Sequence, residues 1–369
     1  MESRILKISN NQATRRLVSI DALRGFDMFW IMGGDFLLRS FRKIYDCPFT
    51  REMEIQMEHV PYEGFHFYDL IFPLFLFIVG VSISLSLSRH IEKEGINTAL
   101  KHIVIRSVIL YLLGVFYMGG INSGVNNIYL VGVLQRIAVA YFFAALIFCF
   151  VKIRGIVAII VILLVGYYAI LALVPVPGYG KPSFEQGRNL AHFIDQQWLP
   201  GQKFEGTILS TLGAVANVLI GVIIGTFLKT PDILDQRKVV KLFMIGFTCL
   251  VAGYLWGIWF PIIKLIWTSS YVLVACGYGI LLLAIFYQII EIWKFKKWAN
   301  PFVWIGMNSI TIYIAASILR FRKLSVRFIG GEVKDWLGNY YELITALIVL
   351  LFVFWLARFL YKKNIFIRI

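Results

Sequence analysis

The stretch FHFYDLIFPLFLFIVGVSISLSL, residues 65–87, decides the fold class of this chain. It is long enough, at about 1.5 Å per helical residue, to cross the roughly 30 Å hydrocarbon core of a bilayer. Its only acidic residue, Asp69, lies near one end. A second stretch, GIVAIIVILLVGYYAILALV at residues 155–174, carries no charged residue. Both stretches predict transmembrane helices.

The composition of the whole chain extends this prediction. Of its 369 residues, 59% are hydrophobic and 15% are charged, whereas about a quarter of the residues of a soluble globular protein are charged. Apolar runs bounded by charges, Gly and Pro give ten candidate spans: 18–42, 67–88, 102–119, 127–150, 155–175, 207–228, 239–260, 270–292, 301–319 and 340–361. We expect an all-α polytopic membrane protein, a bundle of about ten transmembrane helices. Because no internal repeat or linker interrupts it, residues 1–369 are expected to form one transmembrane domain.

The net charge of +15 is explained by topology. With the N-terminus inside, 21 basic residues fall on inner segments and 12 on outer segments, as the positive-inside rule requires. This bias predicts that both termini are cytoplasmic and that the long loops 43–66 and 176–206 lie outside; no nucleic-acid partner is needed. The exception is the outer segment 320–334, which holds five basic residues. Either this segment meets an acidic partner, or a span nearby has been miscounted.

Other sequence signals are absent. The N-terminus has no apolar core followed by a small-residue cleavage site, so we expect no signal peptide and an insertion role for the first helix. The four cysteines have no zinc spacing, and neither a P-loop nor an HExxH motif occurs. No metal is expected.

A few ionisable side chains fall within the predicted spans, where they are costly unless they meet a partner, a cavity or a substrate. Asp21, Arg24 and Asp27 are three residues apart, so they share a helix face and can form an ion-pair ladder. If the fourth span begins at Asn127, Arg136 lies about 13 Å deep, near the bilayer centre. An arginine there needs an acid, a phosphate or a water-filled cavity.

Polar uncharged residues in the spans allow two interpretations. Asn217, Asn308 and Ser309 are suited to interhelical hydrogen bonding, which is the commoner use of such residues in membranes. They can also bind a ligand.

His59 stands out among the five histidines. It lies in the outer loop just before the second span, near the carboxylates of Glu58, Glu63 and Asp69. Such neighbours can set the tautomer of an imidazole and raise its basicity, as a general base or an acyl-accepting nucleophile requires. The alternative is a solvated loop histidine.

Several motifs, in this order and in this membrane context, resemble the heparan-alpha-glucosaminide N-acetyltransferase family of transmembrane acyltransferases. They are RLVSIDALRGFDM (16–28), His59 with Gly64 and Asp69, FPLFLFIVGVSI (72–83), GVLQRIAVAYF (132–142), NLAHFID (189–195), EGTILSTLGAVANVLIG (205–221), KLIWTSSYVL (264–273) and GMNSITIY (306–313). The chain resembles in particular the bacterial members of this family, which lack the lumenal domain of the lysosomal protein.

The resemblance implies a reaction and a set of site residues. The acetyl group of cytosolic acetyl-CoA would pass to the amino group of a glucosamine-type sugar across the membrane. The catalytic pair implied is His59 and Asp69. The residues expected to bind acetyl-CoA are Arg136, Gln135, Arg24, Asn308 and Ser309, and those expected to bind the sugar are Asp35, Glu63, Glu205 and Trp267.

The chain departs from the family's pattern in three places, of which a longer loop between Asp35 and His59 and a changed D-P-E-G motif lie on the acceptor side. Asp35 stands where the family commonly has an asparagine, so a hydrogen-bond donor has become an acceptor. Lys203, Phe204, Glu205 and Gly206 replace the family's D-P-E-G. An amino-sugar permease and an O-acetyltransferase of cell-envelope glycans therefore stay as alternatives. The expected location is the bacterial inner membrane, with the His59 loop facing the periplasm; a homodimer is compatible with the sequence.

Overall fold

A computed structural model describes residues 17–120, 122, 124, 128–199, 207–231 and 233–366. These residues are almost entirely helical, and within them the only β pairing is an isolated bridge between Glu63 and Ile263. The predicted all-α fold class is confirmed.

The helices follow the apolar runs of the sequence. In chain order they are α1 (Val18–Phe29), α2 (Asp35–Ile44), α3 (Pro48–Gln56), α4 (Phe67–Glu94), α5 (Ile96–Tyr117), α6 (Val133–Phe150), α7 (Ile153–Leu173), α8 (Leu190–Trp198), α9 (Thr207–Lys229), α10 (Asp235–Gly257), α11 (Ser269–Tyr287), α12 (Asn300–Met307), α13 (Ser309–Leu319), α14 (Phe321–Ile329), α15 (Glu332–Leu337) and α16 (Tyr341–Lys362). A π-helical turn, Trp30–Gly34, joins α1 to α2, and another, Gln288–Ile292, extends α11.

Within the described residues, eight helical segments are long and apolar enough to cross a membrane: α4, α5, α6, α7, α9, α10, α11 with its extension, and Glu332–Lys362, which contains α15 and α16. The pair α12 and α13 makes a ninth if its two bent halves are counted as one span. The polytopic architecture is therefore confirmed, with eight or nine spans by length and apolar content where the sequence predicted about ten. The cytoplasmic position of both termini stays a prediction.

The first predicted span, 18–42, differs most from its expectation. Helix α1 has 12 residues and gives way to the π-helical turn, in which Gly33 has φ +138°. Residues with a Cβ atom rarely adopt this backbone conformation, whereas glycine does so readily. Gly33 therefore allows the helix to be interrupted at this turn. Residues 18–42 therefore form two short helices and not one continuous crossing.

The predicted span 301–319 is also broken. Helices α12 and α13 meet at an angle of 71°, and Asn308 lies at the junction. Interrupted helices at membrane depth occur where the backbone is buried in protein or lines a cavity.

By packing, the described chain forms two compact units, the first made of residues 62–65 and 72–284 and the second of residues 17–61, 66–71 and 285–366. The single domain expected over residues 1–369 stays a prediction.

Glycine allows close helix packing in the first unit. A Cβ atom at Gly80 of α4 would lie 1.9 Å from the Val218 carbonyl oxygen of α9, and one at Gly221 would lie 2.1 Å from the Phe77 carbonyl oxygen. Asn217 donates a hydrogen bond of 3.1 Å to the carbonyl oxygen of Pro73. The predicted interhelical hydrogen bond of Asn217 is thus confirmed.

The second unit uses the same device. A Cβ atom at Gly25 of α1 would lie 1.7 Å from the Phe302 carbonyl oxygen of α12. A Cβ atom at Gly306 would lie 1.8 Å from the Asp21 carbonyl oxygen. The glycine of the Arg-Gly pair in the opening motif therefore lets the two backbones touch.

Candidate functional site

His59 and Asp69 form a hydrogen-bonded pair in the second unit. The imidazole Nδ1 lies 2.8 Å from the Asp69 Oδ1. The Asp69 side chain is 1% exposed, whereas 53% of the His59 side chain is exposed. Because Nδ1 faces the carboxylate, Nε2 is the nitrogen suited to act on a substrate.

The loop before α4 holds the Asp69 carboxylate in place. Its Oδ2 accepts hydrogen bonds from the backbone N–H groups of Val60, at 3.2 Å, and His66, at 3.1 Å. The Gln56 side chain accepts a hydrogen bond from the N–H of Phe67 and so caps the first turn of α4. A buried acid that accepts three hydrogen bonds is well suited to fix the tautomer of a histidine.

Tyr68 interacts both with the His59–Asp69 pair and with Asp35, another residue predicted for the site. Its ring centroid lies 4.9 Å from that of His59, and the tyrosine interacts electrostatically with Asp35 and Arg39. Asp35 forms an ion pair of 2.7 Å with Arg39, one helical turn away. The second unit thus brings Asp35 into the neighbourhood of His59.

The ion-pair ladder predicted for α1 forms only in part. Arg24 lies 3.6 Å from Asp21 and donates a hydrogen bond of 3.4 Å to the Gly306 carbonyl oxygen. Asp27 is fully buried, and neither of its carboxylate oxygens has a hydrogen-bond partner among the described residues. The predicted pairing of Asp27 with Arg24 is therefore not observed.

Asn308 and Ser309 lie at the break between α12 and α13. Asn308 is 2% exposed and Ser309 is also buried. Both polar side-chain atoms of Asn308 lack hydrogen-bond partners among the described residues. A buried amide without partners loses hydrogen bonds that it would make in water. Asn308 is therefore a stronger candidate for ligand binding than for interhelical hydrogen bonding.

Arg136 is the centre of a polar cluster in the first unit. Its Nη2 donates a hydrogen bond of 2.7 Å to the Ser210 Oγ of α9. Its guanidinium carbon lies 4.9 Å from the centroid of the Trp267 ring, a cation–π distance. Trp267 is buried and has φ +53°, a strained conformation for a bulky residue.

The helix start from which the depth of Arg136 was predicted is wrong. Helix α6 begins at Val133, and residues 128–132 are not helical. Arg136 consequently lies in the first turn, about 4.5 Å along the axis. The amide dipoles at this end of a helix disfavour a cation and favour an anion.

Asp195 of α8 completes the cluster. It is fully buried, accepts a hydrogen bond of 3.0 Å from the N–H of Ile208 at the start of α9, and interacts electrostatically with Arg136. The motifs at 132–142, 189–195, 205–221 and 264–273 therefore contribute to one site.

The remaining predicted residues are placed as follows. Gln135 is 1% exposed and donates a hydrogen bond of 3.0 Å to the Tyr129 carbonyl oxygen. Glu63 is exposed, beside Gly64, whose N–H donates to the Ile262 carbonyl oxygen at 2.9 Å. Glu205 lies outside the described residues.

Comparison with known proteins bears on what these sites do. The catalytic-domain model of the heparan-alpha-glucosaminide N-acetyltransferases matches residues 16–184. Human heparan-alpha-glucosaminide N-acetyltransferase is 24% identical, and its mouse counterpart is 25% identical; each match covers 85% of this chain and 56% of the relative. The chain is related to the heparan-alpha-glucosaminide N-acetyltransferases.

The match to the heparan-alpha-glucosaminide N-acetyltransferase model includes the principal residues of both sites. His59, Asp69 and Arg136 lie inside it, whereas Ser210 and Trp267 lie beyond its end. The chain spans about half the length of the curated relatives that it matches. Among the residues that the structure describes, no group of three or more His, Cys, Asp or Glu side chains is arranged to hold a metal.

Three residues of these sites were not predicted from the sequence. Tyr68 directly precedes Asp69, and Ser210 and Asp195 lie inside motifs shared with the heparan-alpha-glucosaminide N-acetyltransferases. Their residue types are common in helices and loops, so only the motif membership of Ser210 and Asp195 could have singled them out.

Proposed function

We propose that this protein is a transmembrane acetyltransferase that moves the acetyl group of cytosolic acetyl-CoA to the amino group of a glucosamine-type sugar on the outer side. The observation that carries the proposal is the His59–Asp69 pair, in which a half-exposed imidazole is held by a buried, three-fold hydrogen-bonded carboxylate. The charge bias of the loops supports an outer location for this pair. The family match over residues 16–184 supports the reaction type.

The pair can supply the base that amide formation needs. The amine nitrogen attacks the thioester carbonyl carbon while His59 Nε2 takes the proton that the amine loses. The Asp69 carboxylate stabilises the resulting imidazolium. Collapse of the tetrahedral intermediate breaks the carbon–sulfur bond, and the CoA thiolate accepts the proton. Alternatively, His59 Nε2 attacks the thioester carbonyl first and the CoA thiolate leaves. The amine then attacks the acetyl-imidazole, the bond between carbon and Nε2 breaks, and the proton that the amine loses passes to the released imidazole.

Arg136 is the best candidate for the acetyl-CoA side. A partly buried guanidinium in the first turn of α6 sits where amide dipoles favour an anion. Its planar donors match a phosphate oxygen pair. We propose that Arg136 binds a CoA phosphate and that Ser210 and Trp267 hold it in position. Asn308 is proposed to donate a hydrogen bond to the thioester carbonyl or to CoA.

The other predicted roles are kept as proposals of lower structural support. Gln135 and Arg24 donate hydrogen bonds to backbone carbonyl oxygens, and their predicted role in acetyl-CoA binding stays a proposal. Ser309 accompanies Asn308 at the break.

On the acceptor side, Asp35 and Glu63 are proposed to bind the sugar. Trp267 is buried against Arg136, so a sugar-stacking role would require it to become accessible. The role of Glu205, the bacterial inner-membrane location and a homodimer stay predictions.

The experiment that tests the proposal uses the purified chain in proteoliposomes with labelled acetyl-CoA and a panel of glucosamine, muropeptide and neutral-sugar acceptors. Wild-type protein should form an N-acetyl product. His59→Ala should lower the rate by about a hundred-fold or more, because general-base catalysis contributes about 10²–10⁴. His102→Ala removes an exposed histidine of α5 and should keep full activity.

The outcomes separate the proposal from its alternatives. Full transfer by the His59→Ala protein would reject the catalytic assignment. An O-acetyl product would identify an acetyltransferase of envelope glycans. No transfer to any acceptor, together with sugar flux into the vesicles, would identify a permease.

A further inference from the structure

Helix α14 has one packed face and one exposed face. Phe321 and Ser325 are buried, and the rings of Phe321 and Phe328 lie 5.9 Å and 6.2 Å from that of Phe352 in α16. The opposite face exposes three basic residues together with Val326: Arg322, Lys323 and Arg327. The helix is thus amphipathic, with its cations outermost.

The cations of this helix are not neutralised locally. Among the described residues, no acidic side chain forms an ion pair with Arg320, Arg322, Lys323 or Arg327. The Arg322 guanidinium lies 4.5 Å from the Phe36 ring centroid, a contact that leaves its charge uncompensated. These exposed cations are therefore available to an anionic partner.

The same part of the chain also has large apolar side chains that are exposed. Trp336 of α15 is 85% exposed, and Phe328 is 64% exposed. Amphipathic helices with basic residues and exposed aromatic side chains are typical of the membrane interface.

The position of the segment in the chain agrees with that interpretation. Helix α14 connects α13, which ends at Leu319, to the apolar segment Glu332–Lys362, in which α15 precedes α16. Both α13 and α16 belong to segments apolar enough to cross a membrane. A connection between two such segments reaches the level of the lipid headgroups.

We propose that α14 and α15 form a binding surface for anionic phospholipid headgroups, with Arg322, Lys323 and Arg327 on the phosphates and Trp336 among the upper acyl chains. The guanidinium groups match phosphate oxygens. Each basic residue near an anionic surface strengthens binding by about five-fold. The surface also gives a role to three of the five basic residues in segment 320–334 that depart from the charge bias. This inference does not depend on the acetyltransferase activity.

Trp336 itself provides the reporter. The chain has 10 tryptophans, so the signal of Trp336 is the difference between wild type and Trp336→Phe. The full chain is reconstituted in mixed phosphatidylglycerol and phosphatidylcholine vesicles of constant composition, with bromine, a fluorescence quencher, on the upper acyl chain of either lipid. Brominated phosphatidylglycerol should quench Trp336 more strongly than brominated phosphatidylcholine does.

Removal of the cations should abolish this preference. The variant Arg322→Gln/Lys323→Gln/Arg327→Gln should lower the preference at least about ten-fold. The variant Lys323→Gln/Arg327→Gln, which leaves the contact of Arg322 with Phe36, should lower it by a smaller factor. The control Lys294→Gln/Lys296→Gln/Lys297→Gln removes the same charge elsewhere and should keep the preference.

Three results would overturn the proposal. The first is equal quenching by the two brominated lipids in the wild-type protein. The second is loss of the preference in the control but not in the α14 variants. The third is an unchanged lipid preference in the α14 variants with a raised KM for the acceptor, which would assign the surface to the substrate.

Discussion

Replacement of Asp69 by Asn tests whether the buried carboxylate sets the tautomer of His59. The two side chains have nearly the same shape, but the amide has one acceptor oxygen where the carboxylate has two. In the structure Oδ1 faces His59 Nδ1 at 2.8 Å, and Oδ2 accepts the backbone N–H groups of Val60 and His66.

The amide of Asn at position 69 can take either of two orientations. With its NH₂ group towards Val60 and His66, two partly buried donors lose their acceptor, at a cost of about 1–3 kcal/mol each. With its oxygen towards those donors, its NH₂ group donates to His59 Nδ1 and no donor is left unpaired. The second orientation is therefore favoured by about 2–6 kcal/mol.

The favoured orientation of the amide changes the tautomer of the His59 imidazole. Because Nδ1 must then accept, the proton lies on Nε2, and the nitrogen that faces the substrate can no longer take up a proton. The Asp69→Asn protein should lose about 10²–10⁴ in kcat, while the KM for the acceptor should change little. Its melting temperature should stay near that of wild type, since all three hydrogen bonds persist.

The measurement is the initial rate of acetyl transfer against acceptor concentration, together with the melting temperature in detergent. The matched control is Asp46→Asn, which removes an exposed acid that lies in the same predicted outer loop and pairs with Arg51. A folded Asp69→Asn protein that keeps more than a tenth of the wild-type kcat would refute the tautomer argument. So would an equal loss of kcat in the control.

Two further predictions concern packing and donor binding. Gly25→Ala should lower the melting temperature, because its Cβ would lie 1.7 Å from the Phe302 carbonyl oxygen and overpacking costs about 1–3 kcal/mol. The control Gly166→Ala, whose Cβ would have no atom within 4 Å, should leave the melting temperature unchanged or slightly raised. Equal melting temperatures of the two variants would contradict this reasoning. Arg136→Gln should weaken acetyl-CoA binding far more than sugar binding in equilibrium titrations. Ser210→Ala should weaken acetyl-CoA binding to a lesser degree, because it removes only one hydrogen bond. If Arg136→Gln instead weakens sugar binding more, Arg136 does not bind the acetyl donor.

Much of the fold could be predicted because hydropathy is a local property of the chain. The stretches at 65–87 and 155–174 became α4 and α7. The His59–Asp69 hydrogen bond was also predictable, because only ten residues separate the two side chains and a short loop can bring them together. The sequence motif that contains both residues indicated the same pair.

The predicted helix boundaries were wrong where apolar content does not determine the end of a helix. Apolar content alone extended the fourth span back to Asn127, whereas the helix begins at Val133, which moved Arg136 from the middle of a span to a helix start. In the same way, hydropathy could not detect the interruption of the first span at Gly33 or the bend at Asn308. Both depend on backbone conformation and on the neighbouring helices.

The sequence by itself determined that the chain is an all-α membrane protein, and its motifs indicated a histidine–aspartate pair. Only the tertiary structure decided what surrounds Arg136, since Ser210 is 74 residues away and Trp267 is on another segment. The physical reason is that membrane insertion depends on residues summed along one helix, whereas the partners of a buried charge depend on which helices pack together. Close backbone contacts at glycines such as Gly80 and Gly25 fix that packing, and they appear in the sequence only as small residues.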